Sequence, residues 1–92
     1  MAENSRVSMI IYGQVQGVFF RYEAEKLAKE LGLTGWIKNT ANGTVECLAE
    51  GDKFKLEKLI EWCRKGPDSA NVERVAVNWL PYLGGFKEFE IK

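Results

Sequence analysis

The stretch Gly13-Gln14-Val15-Gln16-Gly17-Val18-Phe19-Phe20-Arg21 brings together the residue types that hold an oxyanion. An apolar run from Val7 to Tyr12 precedes it and a helical pattern follows it. A strand therefore enters a short glycine-bounded loop, and a helix leaves it. The N–H groups of such a loop stack at a helix N-terminus, where unpaired donors and the macrodipole both favour an anion. Arg21 falls in the first helical turn, and its planar guanidinium suits two oxygens of one phosphate or carboxylate. A cation at the positive end of a helix costs a few tenths of a kcal/mol, and an anion seated between the two offsets that cost. The glycine-bounded loop and Arg21 thus form an expected oxyanion cradle, suited to phosphate. The plain alternative is a glycine turn that holds nothing.

Asn39 is the second candidate. It ends an extended segment just before Ala41-Asn42-Gly43, and Asn-Gly is a hairpin turn signal. Its amide can accept a hydrogen bond from water and donate one to an oxyanion, or it can cap the turn. Asn42 fits the cap better because it directly precedes Gly43. Chain spacing does not bring Asn39 to the cradle. Thr40 and Thr44 flank the turn and read as structural hydroxyls. Gly17 permits a positive φ or a close ligand approach. Phe19 is placed either to pack or to line a rim for an organic group.

Composition removes other chemistries. There is no His, hence no imidazole base, nucleophile or ligand. The two cysteines lack paired-ligand spacing, so no zinc set forms. No GxxxxGK[ST] is present, and neither Cys has an Arg six residues downstream as a Cys-nucleophile phosphatase requires. Thirteen basic residues balance thirteen acidic ones, so there is no electrostatic footprint for nucleic acid or an anionic membrane. No run of ~18 apolar residues exists to span a bilayer. Met1 to Arg6 has no apolar core of a signal peptide, which makes the cytoplasm the expected location.

These residues need elements to hold them. A first strand is expected over Val7–Tyr12, with Met9 and Ile11 inward. Phe20, Ala24, Leu27, Ala28 and Leu31 form one helical face, stopped at Gly32. Extended segments follow over Thr34–Thr40 and Thr44–Glu50, the second with Val45, Cys47 and Ala49 on one face and Thr44, Glu46, Leu48 and Glu50 opposite. Asp52 caps a helix over Lys53–Lys65 whose stripe is Leu56, Leu59, Ile60 and Cys63. Gly66-Pro67 ends it. A strand over Asn71–Leu80 carries Val75, Val77 and Trp79 in alternation, with Val72 out of phase, as a bulge or a late start produces. Pro81–Gly85 is a loop, and Phe86–Lys92 is a terminal edge strand with Phe89 and Ile91 inward. Cys47 and Cys63 both point inward. Free buried thiols are the expectation and a disulfide the alternative.

The order β-α-β-β-α-β with a short extra C-terminal strand predicts an α+β ferredoxin-like sandwich, an antiparallel sheet with two helices on one face. Residues 1–92 read as one domain. Lys87, Glu88, Glu90 and Lys92 guard the terminal strand against edge pairing, which predicts a monomer.

The residues from Gly13 to Arg21 resemble the acylphosphatase signature, Gly-x-Val-Gln-Gly-Val-x-aromatic-Arg, at every fixed position. Gly35-Trp36-Ile37-Lys38-Asn39 with Gly43-Thr44-Val45 and Gly51 resembles that family's second signature. The Gly66-Pro67 break, the Val72–Trp79 strand and Phe89-Glu90-Ile91 are similar too. The resemblance spans nearly the whole chain, with Ile37 slightly larger than the residue usual there. It implies an enzyme that hydrolyses acyl phosphates, such as carboxyl phosphates and carbamoyl phosphate, to a carboxylate and inorganic phosphate. It implies that Arg21 binds phosphate, that Asn39 orients the attacking water, that backbone N–H groups from Val15 to Phe20 hold phosphoryl oxygens, and that no metal or cofactor takes part. Two rivals exist. RNA-recognition domains share the topology, but strand Thr44–Glu50 lacks the basic-Gly-aromatic pattern. A non-catalytic acylphosphatase-like module serving a larger maturation protein is the other, and retention of both Arg21 and Asn39 favours the enzyme.

Overall fold

The computed structural model describes residues 3–92. Along β1 (Asn4–Gln14), Val7, Met9 and Ile11 alternate and are fully buried. Period-two alternation puts them on one face of the sheet, and both helices cover that face. Phe20, Ala24 and Ala28 come down from α1 (Phe20–Glu30), and Leu56, Leu59, Ile60 and Cys63 from α2 (Lys53–Lys65). Val45, Cys47 and Ala49 on β3 (Val45–Asp52) and Ile37 on β2 (Thr34–Asn39) join the same cluster. With β4 (Asn71–Leu80) and β5 (Phe89–Ile91) the sheet order is β4-β1-β3-β2-β5. This is the expected ferredoxin-like sandwich.

The sheet is mixed, however, not wholly antiparallel. Gly35, Trp36 and Ile37 of β2 pair in parallel with Phe89, Glu90 and Ile91. β4 and β3 are both antiparallel to β1, so a strand returning after β4 runs the same way as β2. β5 is also shorter than the alternation over Phe86–Lys92 suggests. Phe89 is buried as expected, but Ile91 is 38% exposed. It lies beside the first turn of α1, where the helix layer ends.

β2 stops at Asn39 and β3 starts at Val45, each one residue inside its expected bound, while other ends extend. β1 begins before Val7 and runs past Tyr12 to Gln14. β3 continues through Gly51 to Asp52, and Asp52 still caps α2 by accepting from the Phe54 N–H at 3.2 Å. The out-of-phase Val72 belongs to a bulge. Tyr12 faces Arg74 and Gly13 faces Val72, leaving Glu73 without a partner residue on β1. A side chain at Gly13 would strike the Asn71 carbonyl and the Glu73 amide. Glycine there lets β1 pass the bulge and deliver the chain to the loop before α1.

Glu50 is buried on the face away from the helices. Period two puts it on the outer face, yet it is 1% exposed. The connection from β4 to β5 folds over it. One carboxylate oxygen accepts from the Leu83 N–H at 2.9 Å and lies 3.6 Å from Arg6 Nη1. Among the described residues, no helix is long and apolar enough to cross a membrane.

Candidate active site

The loop between β1 and α1 is shaped by two left-handed residues. Gly17 has φ 72° and Phe19 has φ 64°. At Gly17 the conformation is free. At Phe19, the one non-glycine with positive φ among the described residues, it costs about 1–2 kcal/mol. Phe19 is the N-cap of α1, and no side chain caps this end. The first-turn N–H groups of an α-helix have no intrahelical acceptor. No backbone acceptor among the described residues takes the N–H groups of Gln16 through Phe19 either. A row of uncommitted donors therefore lies at the positive end of a helix dipole.

The loop is pinned on both flanks. Gln16 Nε2 donates to the Thr40 carbonyl at 2.8 Å and to the Thr44 carbonyl at 2.9 Å. Ser69 Oγ donates to the Val18 carbonyl at 2.8 Å. Beneath it, Val15 and Phe20 are buried, and the Phe20 ring sits 5.1 Å from that of Trp62 on α2.

A cavity of about 290 Å³ opens at this loop. Val15, Gly17, Phe19, Phe20 and Arg21 line it, together with Tyr22 and Ile91. Gln16 and Val18 are in the loop but do not line the cavity. Arg21 is half-buried, and its Nη1 donates to the main-chain oxygen of Lys92 at 3.3 Å. That contact occupies one of the five guanidinium N–H groups and holds the fork at the cavity wall.

Asn39 does not line the cavity. Gln16 nevertheless brings the end of β2 against the cradle. β3 lies between β1 and β2 in the sheet, and the Gln16 side chain reaches across its entry at Thr44 to Thr40, the residue after Asn39. Asn39 Oδ1 is one of two buried side-chain atoms among the described residues with no hydrogen-bond partner. Such an atom is costly to leave unpaired, and it is an acceptor only. The turn beyond it is closed without Asn39. Asn42 Oδ1 accepts from the Thr44 hydroxyl at 3.0 Å and from the Thr40 hydroxyl, while the Thr40 N–H donates to the Thr44 carbonyl at 2.9 Å. Asn42, Thr40 and Thr44 thus hold the turn, as expected, and Asn39 is left over.

The site holds residues with no functional signal in the sequence: Tyr22 and Ile91 in the cavity wall, and Gln16 and Ser69 as clamps through their side chains. The Gln16 side-chain clamp depends on a neighbour 24 residues away. Ser69 follows the helix break with no local signal of its contact to Val18.

The chain is a ferredoxin-like α+β sandwich whose uncapped helix terminus, pinned donor loop and neighbouring arginine make an arrangement that can hold an oxyanion. The acylphosphatase family model matches residues 7–91. An acylphosphatase from Pelotomaculum thermopropionicum is 47% identical over 87 residues, covering 95% of each chain. The crystal structure of an acylphosphatase from Bacillus subtilis superimposes with TM-score 0.92 at 35% identity, covering 96% of this chain and 98% of that one. An acylphosphatase structure from Coxiella burnetii gives TM-score 0.90 at 36% identity, with coverage of 97% and 93%. The chain belongs to the acylphosphatase family, hydrolases that act on acyl phosphates.

Proposed function

We propose that this chain hydrolyses acyl phosphates without a metal, with the phosphoryl group held by the Val15–Phe20 backbone and Arg21 and the attacking water oriented by Asn39. The observation that carries the reading is the row of uncommitted N–H groups in a loop whose Gly17 and Phe19 line the same cavity as Arg21. Phosphoryl transfer through a loose transition state needs mainly positioning and charge stabilisation. Fixed donors and a guanidinium supply the second without reorganisation. The water oxygen bonds to phosphorus as the bond from phosphorus to the acyl oxygen breaks. The electron pair leaves with the carboxylate, which is stable enough to depart unprotonated. The buried, unpaired Asn39 Oδ1 is an acceptor suited to a water O–H. Asn39 is neutral, so the proton passes to a phosphoryl oxygen and dihydrogen phosphate is released.

Small-molecule acyl phosphates, among them carboxyl phosphates and carbamoyl phosphate, are the proposed substrate class, and inorganic phosphate a product. A monomer in the cytoplasm is the proposed working form. The absence of His leaves no imidazole to assist, consistent with catalysis by amide, guanidinium and backbone alone. The deciding experiment is phosphate release from benzoyl phosphate in EDTA, wild type beside Arg21→Ala and Asn39→Ala. Turnover that survives EDTA and is lost in both variants supports the whole reading. Turnover abolished by EDTA and restored by a divalent ion overturns the metal-free mechanism.

A further inference from the structure

The mouth of the Arg21 cavity carries three bulky side chains left in water. Phe19 is 74% exposed, Tyr22 57% and Ile91 38%. They reach the same cavity from three directions: the loop, the first turn of α1 and the end of β5. Ligand pockets pair a few fixed polar groups with an apolar lining, and here Arg21 and the loop backbone share the cavity with the exposed side chains of Phe19, Tyr22 and Ile91.

Phe19 adds an independent observation. Its backbone is left-handed, a conformation that glycine adopts freely and that an aromatic residue resists. Its side chain is mostly solvent-exposed and so contributes little packing to the fold in return. Strain held without a packing benefit points to a role in binding.

We propose that Phe19, Tyr22 and Ile91 form a site for the acyl half of the substrate, so that the enzyme favours acyl phosphates with bulky apolar, above all aromatic, acyl groups over small ones such as acetyl or carbamoyl phosphate. This rests on the reading of the cradle as the phosphoryl site. With phosphorus held at the backbone donors and Arg21, the bridging oxygen points out of the cradle toward the lip. The carbon skeleton of the leaving carboxylate then covers the two rings and Ile91. The edge-to-face and offset contacts available to Phe19 and Tyr22 suit a second ring.

The test compares kcat/KM for benzoyl phosphate and acetyl phosphate in wild type, Phe19→Gly and Tyr22→Ala. The ratio of the two in a variant, divided by that in wild type, cancels their intrinsic reactivities. A fall of about tenfold in this quotient is expected in each variant, the discrimination one hydrophobic contact supplies, arising in KM for benzoyl phosphate. Phe19→Gly is also expected to unfold at a higher temperature than wild type, which separates lost binding from lost structure. A quotient within twofold of unity in both variants overturns the proposal. If Phe19→Gly loosens the cradle and both substrates suffer equally, Tyr22→Ala, in a regular helical position, decides: an unchanged quotient there also overturns it. Failure of inorganic phosphate to compete with benzoyl phosphate in wild type would instead sink the phosphoryl-site reading beneath it.

Discussion

In the proposed mechanism Arg21 acts through its shape as much as its charge. Its Nη1 is tied to the Lys92 main chain at 3.3 Å, so the remaining fork edges are fixed in direction. A lysine ammonium offers a point charge and cannot keep that tie and two phosphoryl oxygens together. Arg21→Lys is expected to lower kcat by on the order of 10²–10³, the cost of removing one fixed donor from an oxyanion site. Steady-state kinetics on benzoyl phosphate measure it, and turnover near wild type would remove the fork from the mechanism. Asn39 is the complementary case. Its Oδ1 has no protein partner and it does not line the cavity, which suits a group that touches water and leaves the phosphate to others. Asn39→Ala is expected to cut kcat by about 100-fold, the low end of general catalytic contributions, with the Ki for inorganic phosphate within about twofold of wild type. A rise in Ki matching the fall in kcat would make Asn39 part of the cradle.

The loop before α1 and the turn between β2 and β3 work as one unit because Gln16 joins them. Its two hydrogen bonds to Thr40 and Thr44 carbonyls contribute about 1–2 kcal/mol together, and they fix the separation between phosphoryl donors and Asn39. Gln16→Ala is therefore expected to lower kcat about tenfold at nearly constant phosphate Ki. In an Asn39→Ala background the same change is expected to have little further effect, because the geometry it maintains no longer matters. A full tenfold loss in that background would show that Gln16 acts on the cradle and not through Asn39. The β4 bulge and Ser69 serve the same unit from the other side. The bulge presses Gly13 against β4, and Ser69 holds the Val18 carbonyl away from the donor row.

In the core that carries these elements, α2 and β3 meet at two thiols. Burial pushes Cys63 from its ordinary 9.0 up to about 12. Burial, and then the neighbouring Cys63, push Cys47 well above the same value. Both are free and buried, and they stay protonated at neutral pH. In the unfolded chain they ionise near their ordinary value, so above about pH 9 the unfolded state binds fewer protons than the native state. Their contribution to stability is fully present below pH 9 and is lost as pH rises toward 12. Each thiol adds a slope approaching about 1.4 kcal/mol per pH unit in that window. Urea titrations at pH 8, 9.5 and 10.5 measure the slope, and Cys63→Ala is expected to flatten it. An identical slope in that variant would assign the alkaline loss to other groups.

Much of this architecture is local information. Phe20, Ala24 and Ala28, or Leu56, Leu59, Ile60 and Cys63, repeat at helical spacing because a helix must turn one face to the core, and any reader of the chain recovers that. The donor loop, Arg21 in the first helical turn and the Asn42-Gly43 turn are equally legible, since each depends on a few adjacent residues. What stays hidden depends on pairs far apart in the chain. The parallel pairing of β5, the burial of Glu50 beneath a crossing loop and the exposure of Ile91 follow from strand direction and from where the helix layer stops. The left-handed Phe19 and the reach of Gln16 across β3 likewise emerge from how the loop is clamped between its neighbours. Periodicity and turn chemistry act through bonds and nearest neighbours, so the chain announces them. The tie from Gln16 to Thr40, the residue after Asn39, is a through-space relation, and it exists only once the sheet has put β3 between β1 and β2.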